Sequence, residues 1–194
     1  MNLPVRTIPL KLPDGKTTTF LNIQQQGVGP GKTGLAVWNS SLLLGRLLEV
    51  LTAQNPTWLQ GKHVLEVGCG AGLCSLMANA LGAQSVWATD GNPAAVALAE
   101  TNFQMNHIDY GTSSVSTNDT NSNVVTMLPW GELQVPMEWM GKADVVLGSD
   151  LTYNSGSWRV LAETMEGLLC KEEGIVIYLS LGHSVCTMLN ASLE

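Results

Sequence analysis

The chain has 194 residues, of which 45% are hydrophobic and 13% charged, and its formal net charge is −7. This composition indicates one globular domain with a sizeable core and excludes a disordered or fibrous chain. The acidic balance argues against a nucleic-acid binder, which usually carries a basic surface. Its four cysteines lack the Cys-x-x-Cys spacing of zinc sites, so we expect no metal.

The N-terminal segment is predicted to form a β-hairpin. Residues 6–12 alternate apolar and polar side chains, a Pro-Asp-Gly turn follows, and residues 17–23 are rich in β-forming side chains. The next stretch, "GVGPGKTG", is close to the Gly-x-x-x-x-Gly-Lys-Ser/Thr loop of nucleotide-binding proteins. Counted back from Gly31, however, the first glycine would fall at Gln26. We therefore interpret this stretch as a flexible lead-in, a hinge or lid beside the ligand site.

An alternation of helices and strands follows the lead-in. Ser40 or Ser41 is the expected cap of a helix whose leucines recur at helical spacing, and Asn92 with Pro93 opens a later helix that runs to about residue 106. Short apolar runs predict strands at 63–67, 85–89, 124–128, 144–149 and 175–180. Continuously apolar strands between helices are typical of a parallel sheet covered on both faces. We predict a single α/β domain over residues 1–194, with a doubly wound, mostly parallel sheet.

One stretch of the chain does not fit this alternation. Residues 109–123, "DYGTSSVSTNDTNSN", are almost wholly polar and have no hydrophobic periodicity. A stretch of this length without secondary structure is uncommon inside a compact domain. We therefore expect a mobile insertion there.

A glycine-rich turn follows the first strand of the alternation. The Gly68-x-Gly70-x-Gly72 pattern lies between strand and helix, where glycines allow close approach of the backbone to a ligand. It is not the Gly-x-Gly-x-x-Gly of a dinucleotide site, because residue 73 is Leu. Glu66 precedes the glycines, and Asp90 ends the next strand, where a carboxylate can accept hydrogen bonds from both hydroxyls of a ribose. The pattern resembles the first motif of S-adenosylmethionine-dependent methyltransferases, which implies S-adenosyl-L-methionine as the cofactor.

Further motifs narrow the resemblance. Trp38 precedes a leucine-rich helix, Trp130 follows the third strand, and "SDLTY" places Asp150 and Tyr153 after the fourth. In this order, over about residues 33–169, the motifs resemble the Asp-x-x-Tyr protein methyltransferases. This is the methyltransferase-like 21 and family-16 group, mainly protein-lysine N-methyltransferases. The resemblance implies Asp150 and Tyr153 as the catalytic, substrate-side pair. It also implies cofactor contacts from Trp38, Glu66, Gly68, Cys69, Gly70, Asp90, Trp130 and Ser149.

The C-terminus departs from the pattern of that group. The fold of these methyltransferases normally has seven strands, and the last two form an antiparallel hairpin. After the strand predicted at 175–180, the remaining residues suffice for one short helix. We therefore expect a chain that lacks the last two strands, either as a truncated form or as a reduced version of the fold.

The chemistry of the predicted pair suits transfer to an amine. A lysine amine, with a reference pKa of about 10.4, must lose its proton before it can attack a methyl group. Asp150 can accept a hydrogen bond from the amine and orient its lone pair, and Tyr153 can attract a cation with its ring face. Alternatives stay open at this point. The tryptophans can be core residues, Asp150 can cap a helix, and the domain can methylate a small molecule or bind the cofactor without catalysis.

The expected partners follow from the same resemblance. It implies a protein substrate, such as a chaperone or another cytosolic protein, and an enzyme that acts as a monomer. The N-terminus lacks the apolar core of a signal peptide, and no apolar run reaches the roughly 18 residues of a membrane span. We therefore expect a cytoplasmic or nuclear protein without membrane or nucleic-acid partners.

Overall fold

A computed structural model describes residues 4–27, 33–111, 122–131, 135–181 and 187–190. The strands are β1 (Val5–Lys11), β2 (Thr18–Gln24), β3 (His63–Val67), β4 (Ser85–Asp90), β5 (Val124–Met127), β6 (Val145–Ser149), β7 (Ile175–Leu179) and β8 (Thr187–Asn190). The α-helices are α1 (Asn39–Gln54), α2 (Leu73–Ala80), α3 (Pro93–Met105) and α4 (Trp158–Leu168). None of the helices within these described ranges is long and apolar enough to cross a membrane.

The predicted N-terminal hairpin is confirmed as a separate two-stranded antiparallel sheet. Its turn is closed by Asp14, whose Oδ1 accepts hydrogen bonds from the backbone N–H groups of Lys16 and Thr17. Alternate side chains of both strands are buried, namely Ile8, Leu10, Leu21 and Ile23. The hairpin therefore presents one apolar face, and this face is part of the same core as α1, α2 and α3.

Within the described residues, the main sheet has six strands in the order β5-β4-β3-β6-β7-β8. The first five of these strands are parallel, and only β8 is antiparallel to its neighbour β7. Buried residues of α1, α2, α3 and the hairpin form one core with Val64 and Val145, whereas α4 packs with Leu65 and Val146 in a second core. Successive strand residues thus face opposite helical layers. The predicted doubly wound, mostly parallel architecture is confirmed.

Local sequence signals predicted most of the ends of helices and strands correctly. Asn92 caps α3 as predicted, because its Oδ1 accepts a hydrogen bond from the N–H of Ala94, and Pro93 is the first helical residue. The predicted cap of α1 is wrong. The helix begins at Asn39, and Trp38 occupies the cap position without a side-chain hydrogen bond. Ser40 and Ser41 therefore lie in the first turn, where the Ser41 hydroxyl donates to the carbonyl of Trp38.

The prediction of one short helix after β7 is wrong where the structure describes this region. Residues 187–190 form β8, which pairs with β7 from Tyr178 back to Ile175. The sheet therefore has one antiparallel strand beyond the parallel five. Most of the predicted lead-in and insertion, residues 28–32 and 112–121, lies outside the described residues.

Candidate functional site

A cavity of about 1070 Å³ lies at the carboxyl ends of β3, β4 and β6. Its volume is at the upper end of the ~300–1,000 Å³ typical of ligand pockets. The chain builds β4 and β5 on one side of β3 and then returns to place β6 on the other side, which is where doubly wound sheets bind ligands. The predicted site residues that line the cavity are Trp38, Gly68, Cys69, Gly70, Asp90, Trp130, Ser149, Asp150 and Tyr153.

The glycine loop forms the floor of the cavity beyond β3. Gly68 and Gly70 adopt left-handed φ angles of 64° and 54°, which side chains disfavour. A Cβ atom at Gly70 would lie 2.8 Å from the carbonyl oxygen of Gly34, and one at Gly68 would lie 2.4 Å from Leu151. The loop is therefore packed tightly against the segments before α1 and after β6.

Asp90 ends β4 with its carboxylate directed to the glycine loop. Its Oδ2 accepts a hydrogen bond of 2.9 Å from the N–H of Gly70, and its Oδ1 accepts one of 2.8 Å from the N–H of Asn92. Burial raises the pKa of Asp90, and these backbone hydrogen bonds partly oppose that rise. A carboxylate offers about four lone-pair positions, so Asp90 can still accept hydrogen bonds from two ligand hydroxyls.

Two tryptophans frame the cavity. The indole Nε1 of Trp130 is buried, and among the described residues it has no hydrogen-bond partner. A buried donor without a partner costs free energy, and a ligand acceptor would remove that cost. Trp38 lies on the cavity wall with 41% of its surface exposed. Neither tryptophan is therefore a fully buried core residue.

These features fit S-adenosyl-L-methionine. The glycine loop lines the cavity and Asp90 suits a ribose diol. Trp130 offers an adenine a flat ring and a donor that has no partner among the described residues. Cys69 also lines the cavity, and burial followed by the nearby Asp90 charge raises the pKa of its thiol well above the ordinary value. The thiol therefore stays neutral and acts as a small apolar contact.

Asp150 follows β6 in a strained backbone conformation, with φ at 53°. Its N–H donates to the carbonyl of Leu179, and its Oδ1 accepts hydrogen bonds from the Ser180 hydroxyl at 2.9 Å and the Leu181 N–H at 3.0 Å. No residue in the described ranges donates a hydrogen bond to Oδ2. The alternative role of Asp150 as a cap for the next helix is wrong, because α4 begins at Trp158 and Ser157 occupies its cap position.

The cavity is bordered by exposed aromatic side chains. Tyr153 is 75% exposed and Trp158 is 53% exposed, and both contribute to the lining. The indole of Trp158 donates a hydrogen bond of 2.9 Å to the carbonyl of Thr152, which holds its ring against the loop after β6. We call Trp38, Tyr153 and Trp158 the aromatic rim. Exposed aromatic rings beside carboxylates are suited to attract a cationic side chain.

Sequence reasoning missed Tyr178, which lies in β7 and also lines the cavity. Its hydroxyl accepts hydrogen bonds from the N–H groups of Leu151 at 2.9 Å and Thr152 at 3.0 Å, and it contacts the Thr152 hydroxyl. Tyr178 thus fixes the loop that carries Asp150 and Tyr153. The sequence carries no local signal for this contact, because 27 residues separate Tyr178 from Leu151.

Glu66 does not line the cavity. It is almost fully buried in β3, and its Oε2 accepts hydrogen bonds from both the N–H and the hydroxyl of Ser75 in the first turn of α2. Burial raises the pKa of Glu66 from 4.5 to about 7, although the hydrogen bonds from Ser75 oppose that rise. Glu66 therefore joins β3 to α2 beneath the glycine loop.

The sequence was compared with models of known protein families. The model described as "Lysine methyltransferase" matches residues 16–184. The chain belongs to this family. The matched range includes the glycine loop, Asp90 and Asp150.

Individual members of the lysine methyltransferase family are similar to this chain at moderate identity. A protein-lysine N-methyltransferase of Chaetomium thermophilum is 34% identical over 77% of this chain and 43% of its own length. A protein N-lysine methyltransferase of Danio rerio is 30% identical over 68% of this chain and 54% of its own length. A calmodulin-lysine N-methyltransferase of Arabidopsis thaliana is 31% identical over 63% of this chain and 38% of its own length. The chain spans about half the length of the curated relatives it matches.

Solved structures share the fold. A putative methyltransferase complexed with SAH has a TM-score of 0.58 at 15% identity, over 91% of this chain and 42% of that one. A T. thermophilus 16S rRNA methyltransferase in complex with AdoMet and guanosine has a TM-score of 0.57 at 17% identity, over 90% of this chain and 41% of that one. At these identities the likeness concerns the fold alone.

Proposed function

We propose that this lysine methyltransferase-family chain transfers a methyl group from S-adenosyl-L-methionine to the side-chain amine of a lysine in a protein. The observation that carries the proposal is the charge of the cavity. Its lining contains the carboxylates of Asp90 and Asp150, and among the described lining residues there is no Lys, Arg or His. Negative charge in a partly buried cavity attracts both a sulfonium and a lysine side chain.

The half of the cavity at β3 and β4 suits the cofactor. Asp90 keeps acceptor capacity for ribose hydroxyls, and the glycine loop lines the cavity beside it. The Nε1 of Trp130 can donate to an acceptor at the adenine side. When bound, S-adenosyl-L-methionine supplies an electrophilic methyl group on a positively charged sulfur.

The half of the cavity at β6 suits the amine. The aromatic rim attracts the cationic side chain, which enters between Tyr153 and Trp158. The amine loses its proton to water. Oδ2 of Asp150 then accepts an N–H hydrogen bond from the neutral amine and orients its lone pair. Most of the rate enhancement comes from holding the neutral amine in line for attack.

The names of the relatives support a protein as the substrate. Their printed names describe protein-lysine and calmodulin-lysine methyltransferases, so a protein substrate is the natural proposal. We extend it to a monomeric enzyme that acts on a chaperone or another cytosolic protein, in the cytoplasm or nucleus. The net charge of −7 fits a partner that presents a basic, lysine-bearing segment.

The test is methyl transfer to proteins of a cell extract. The purified chain is incubated with the extract and S-adenosylmethionine that carries a deuterated methyl group, and the digested proteins are examined by mass spectrometry. We expect labelled methyl-lysine at defined positions. Asp150→Asn keeps the side-chain shape and should lower the yield by at least ~100-fold, because an amide NH2 in the place of Oδ2 donates instead of accepting and misplaces the amine.

Asp109→Asn is the matched control, because Asp109 is exposed and does not line the cavity. It should methylate as the unsubstituted chain does. Label only in the small-molecule fraction, or on a residue other than lysine, would contradict the proposed substrate. Cofactor binding without any labelled product would favour a non-catalytic binding protein.

A further inference from the structure

The N-terminal hairpin docks on α3 through two asparagines that lie one helical turn apart. The Oδ1 of Asn102 accepts a hydrogen bond from the N–H of Gln24 at 2.7 Å, and its Nδ2 donates to the Gln24 carbonyl at 3.0 Å. Asn106 makes the same pair with Asn22, at 2.9 Å and 2.8 Å. Each carboxamide thus pairs with a β2 peptide group as a neighbouring strand would.

The two asparagines differ in the acceptor that the second N–H of the side-chain amide reaches. Asn102 Nδ2 also donates a hydrogen bond of 2.8 Å to the carbonyl of Ala71, which belongs to the glycine loop. Asn106 Nδ2 instead donates to the carbonyl of Asn102 within α3, at 2.7 Å. Asn102 is fully buried, so its carboxamide has no access to water and depends on these three bonds. Of the two asparagines, Asn102 alone bonds both to β2 and to the glycine loop.

The segment that leaves β2 makes a second connection to the cavity. The N–H of Gln26 donates a hydrogen bond of 2.7 Å to the carbonyl of Leu35, and the Oε1 of Gln25 accepts one of 3.1 Å from Val37. Gly34 packs directly on Gly70 of the glycine loop. Val37 and the adjacent Trp38 line the cavity. The position of β2 therefore also sets the position of this wall.

We propose that Asn102 is a positioning residue for the cofactor and that the docked hairpin is part of the cofactor site. Without Asn102, the Ala71 carbonyl loses its buried donor, and the glycine loop loses this hydrogen-bonded connection to β2. With Asn102 in place, hairpin docking and cofactor binding stabilise each other. This inference rests on the proposed function in one respect, since it takes S-adenosylmethionine as the ligand.

Asn102→Leu and Asn106→Leu form a matched pair. Each substitution keeps approximate side-chain size and removes three hydrogen bonds, two of them to β2. Affinity for S-adenosylhomocysteine is measured by calorimetry, and stability by thermal melts. We expect both variants to melt at lower temperature, but only Asn102→Leu to bind at least roughly 10-fold more weakly. Equal affinities of the two variants would overturn the proposal.

A second measurement uses the unsubstituted chain, so it does not depend on the folding of a variant. Amide hydrogen exchange of Gln24 and Asn22 is followed by NMR with and without S-adenosylhomocysteine. Coupling through Asn102 predicts that the ligand slows exchange of the Gln24 amide more than that of the Asn22 amide. Equal slowing of both amides would overturn the proposal. No binding at all by the unsubstituted chain would instead overturn the proposed function and remove this inference with it.

Discussion

Asp150 combines a strained backbone with a carboxylate that is tied to the protein through one oxygen. Its φ of 53° is sparsely populated for a residue with a side chain, and such strain concentrates at functional sites. The bonds from Ser180 and Leu181 hold Oδ1 at the end of β7, and among the described residues no donor reaches Oδ2. The geometry therefore suits a group that orients an amine.

Tyr178 is expected to control the position of Asp150. Tyr178→Phe removes the hydroxyl that accepts the N–H groups of Leu151 and Thr152, at a cost of about 1–3 kcal/mol in the free energy of unfolding. The loop after β6 should then move, and kcat should fall by roughly 10-fold or more, because small misplacements are costly in methyl transfer. Affinity for S-adenosylhomocysteine should stay unchanged. Steady-state kinetics with a protein found to accept the methyl group measures kcat. Calorimetry measures the affinity for S-adenosylhomocysteine.

Tyr110→Phe provides the control for that experiment. The Tyr110 hydroxyl accepts a hydrogen bond from Gln104 on the outside of α3, so the same chemical change occurs away from the cavity. Equal kcat values for the two variants would show that the Tyr178 hydroxyl does not position the loop.

Much of the candidate site could be predicted from the sequence, because its residues follow strands. Asp90 and Asp150 each end a short apolar run, and the carboxyl ends of parallel strands meet at one edge of the sheet. Tyr178 and Asn102 could not be predicted in the same way. A tyrosine within an apolar strand and an asparagine within a helix have ordinary structural uses, and their contacts here depend on tertiary packing.

At the scale of elements, predictions succeeded where the signal was local. The Asn92–Pro93 pair defines the start of α3, and the apolar runs define β3 and β4 within one residue. The strand β8 has no such signal, because its conformation depends on pairing with β7. The start of α1 was misplaced because Ser40 and Ser41 are common capping residues, but here they lie inside the helix.

Glu66 links two elements in a way that depends on pH. Its pKa is raised to about 7 in the folded protein, from an ordinary value of 4.5. Between these values the folded chain keeps a proton that the unfolded chain releases, so the free energy of unfolding falls as the pH rises. Well above pH 7 the free energy of unfolding has fallen by its full amount, on the order of 3 kcal/mol. Buried charge therefore weakens the β3–α2 unit in neutral and basic solution.

Glu66→Gln should remove this pH dependence. Glutamine does not titrate, and its carbonyl oxygen can accept the same hydrogen bonds from Ser75. We expect the variant to gain stability relative to the unsubstituted chain as the pH rises from 5 to 8, measured by urea unfolding. Glu138→Gln, at an exposed carboxylate, controls for the change in net charge. A stability difference that is the same at both pH values would contradict the role given to burial.

At the scale of the whole molecule, the order of the strands places the cavity. The return of the chain from β5 across β3 to β6 opens a space at the carboxyl edge of the sheet, between the glycine loop and Asp150. The segment that follows the hairpin lines one side of this space through Gly34, Val37 and Trp38. One wall of the cavity thus comes from outside the main sheet.

We expect this cavity to bind S-adenosylmethionine through Asp90. Binding is tested by calorimetric titration of the chain with S-adenosylhomocysteine, beside Asp90→Asn and the control Asp109→Asn. We predict one site per chain, and an affinity at least ~10-fold weaker for Asp90→Asn, because charge-assisted hydrogen bonds to the ribose are lost. Asp109→Asn should bind as the unsubstituted chain does. Absence of binding, or equal affinity of Asp90→Asn and the unsubstituted chain, would contradict the account.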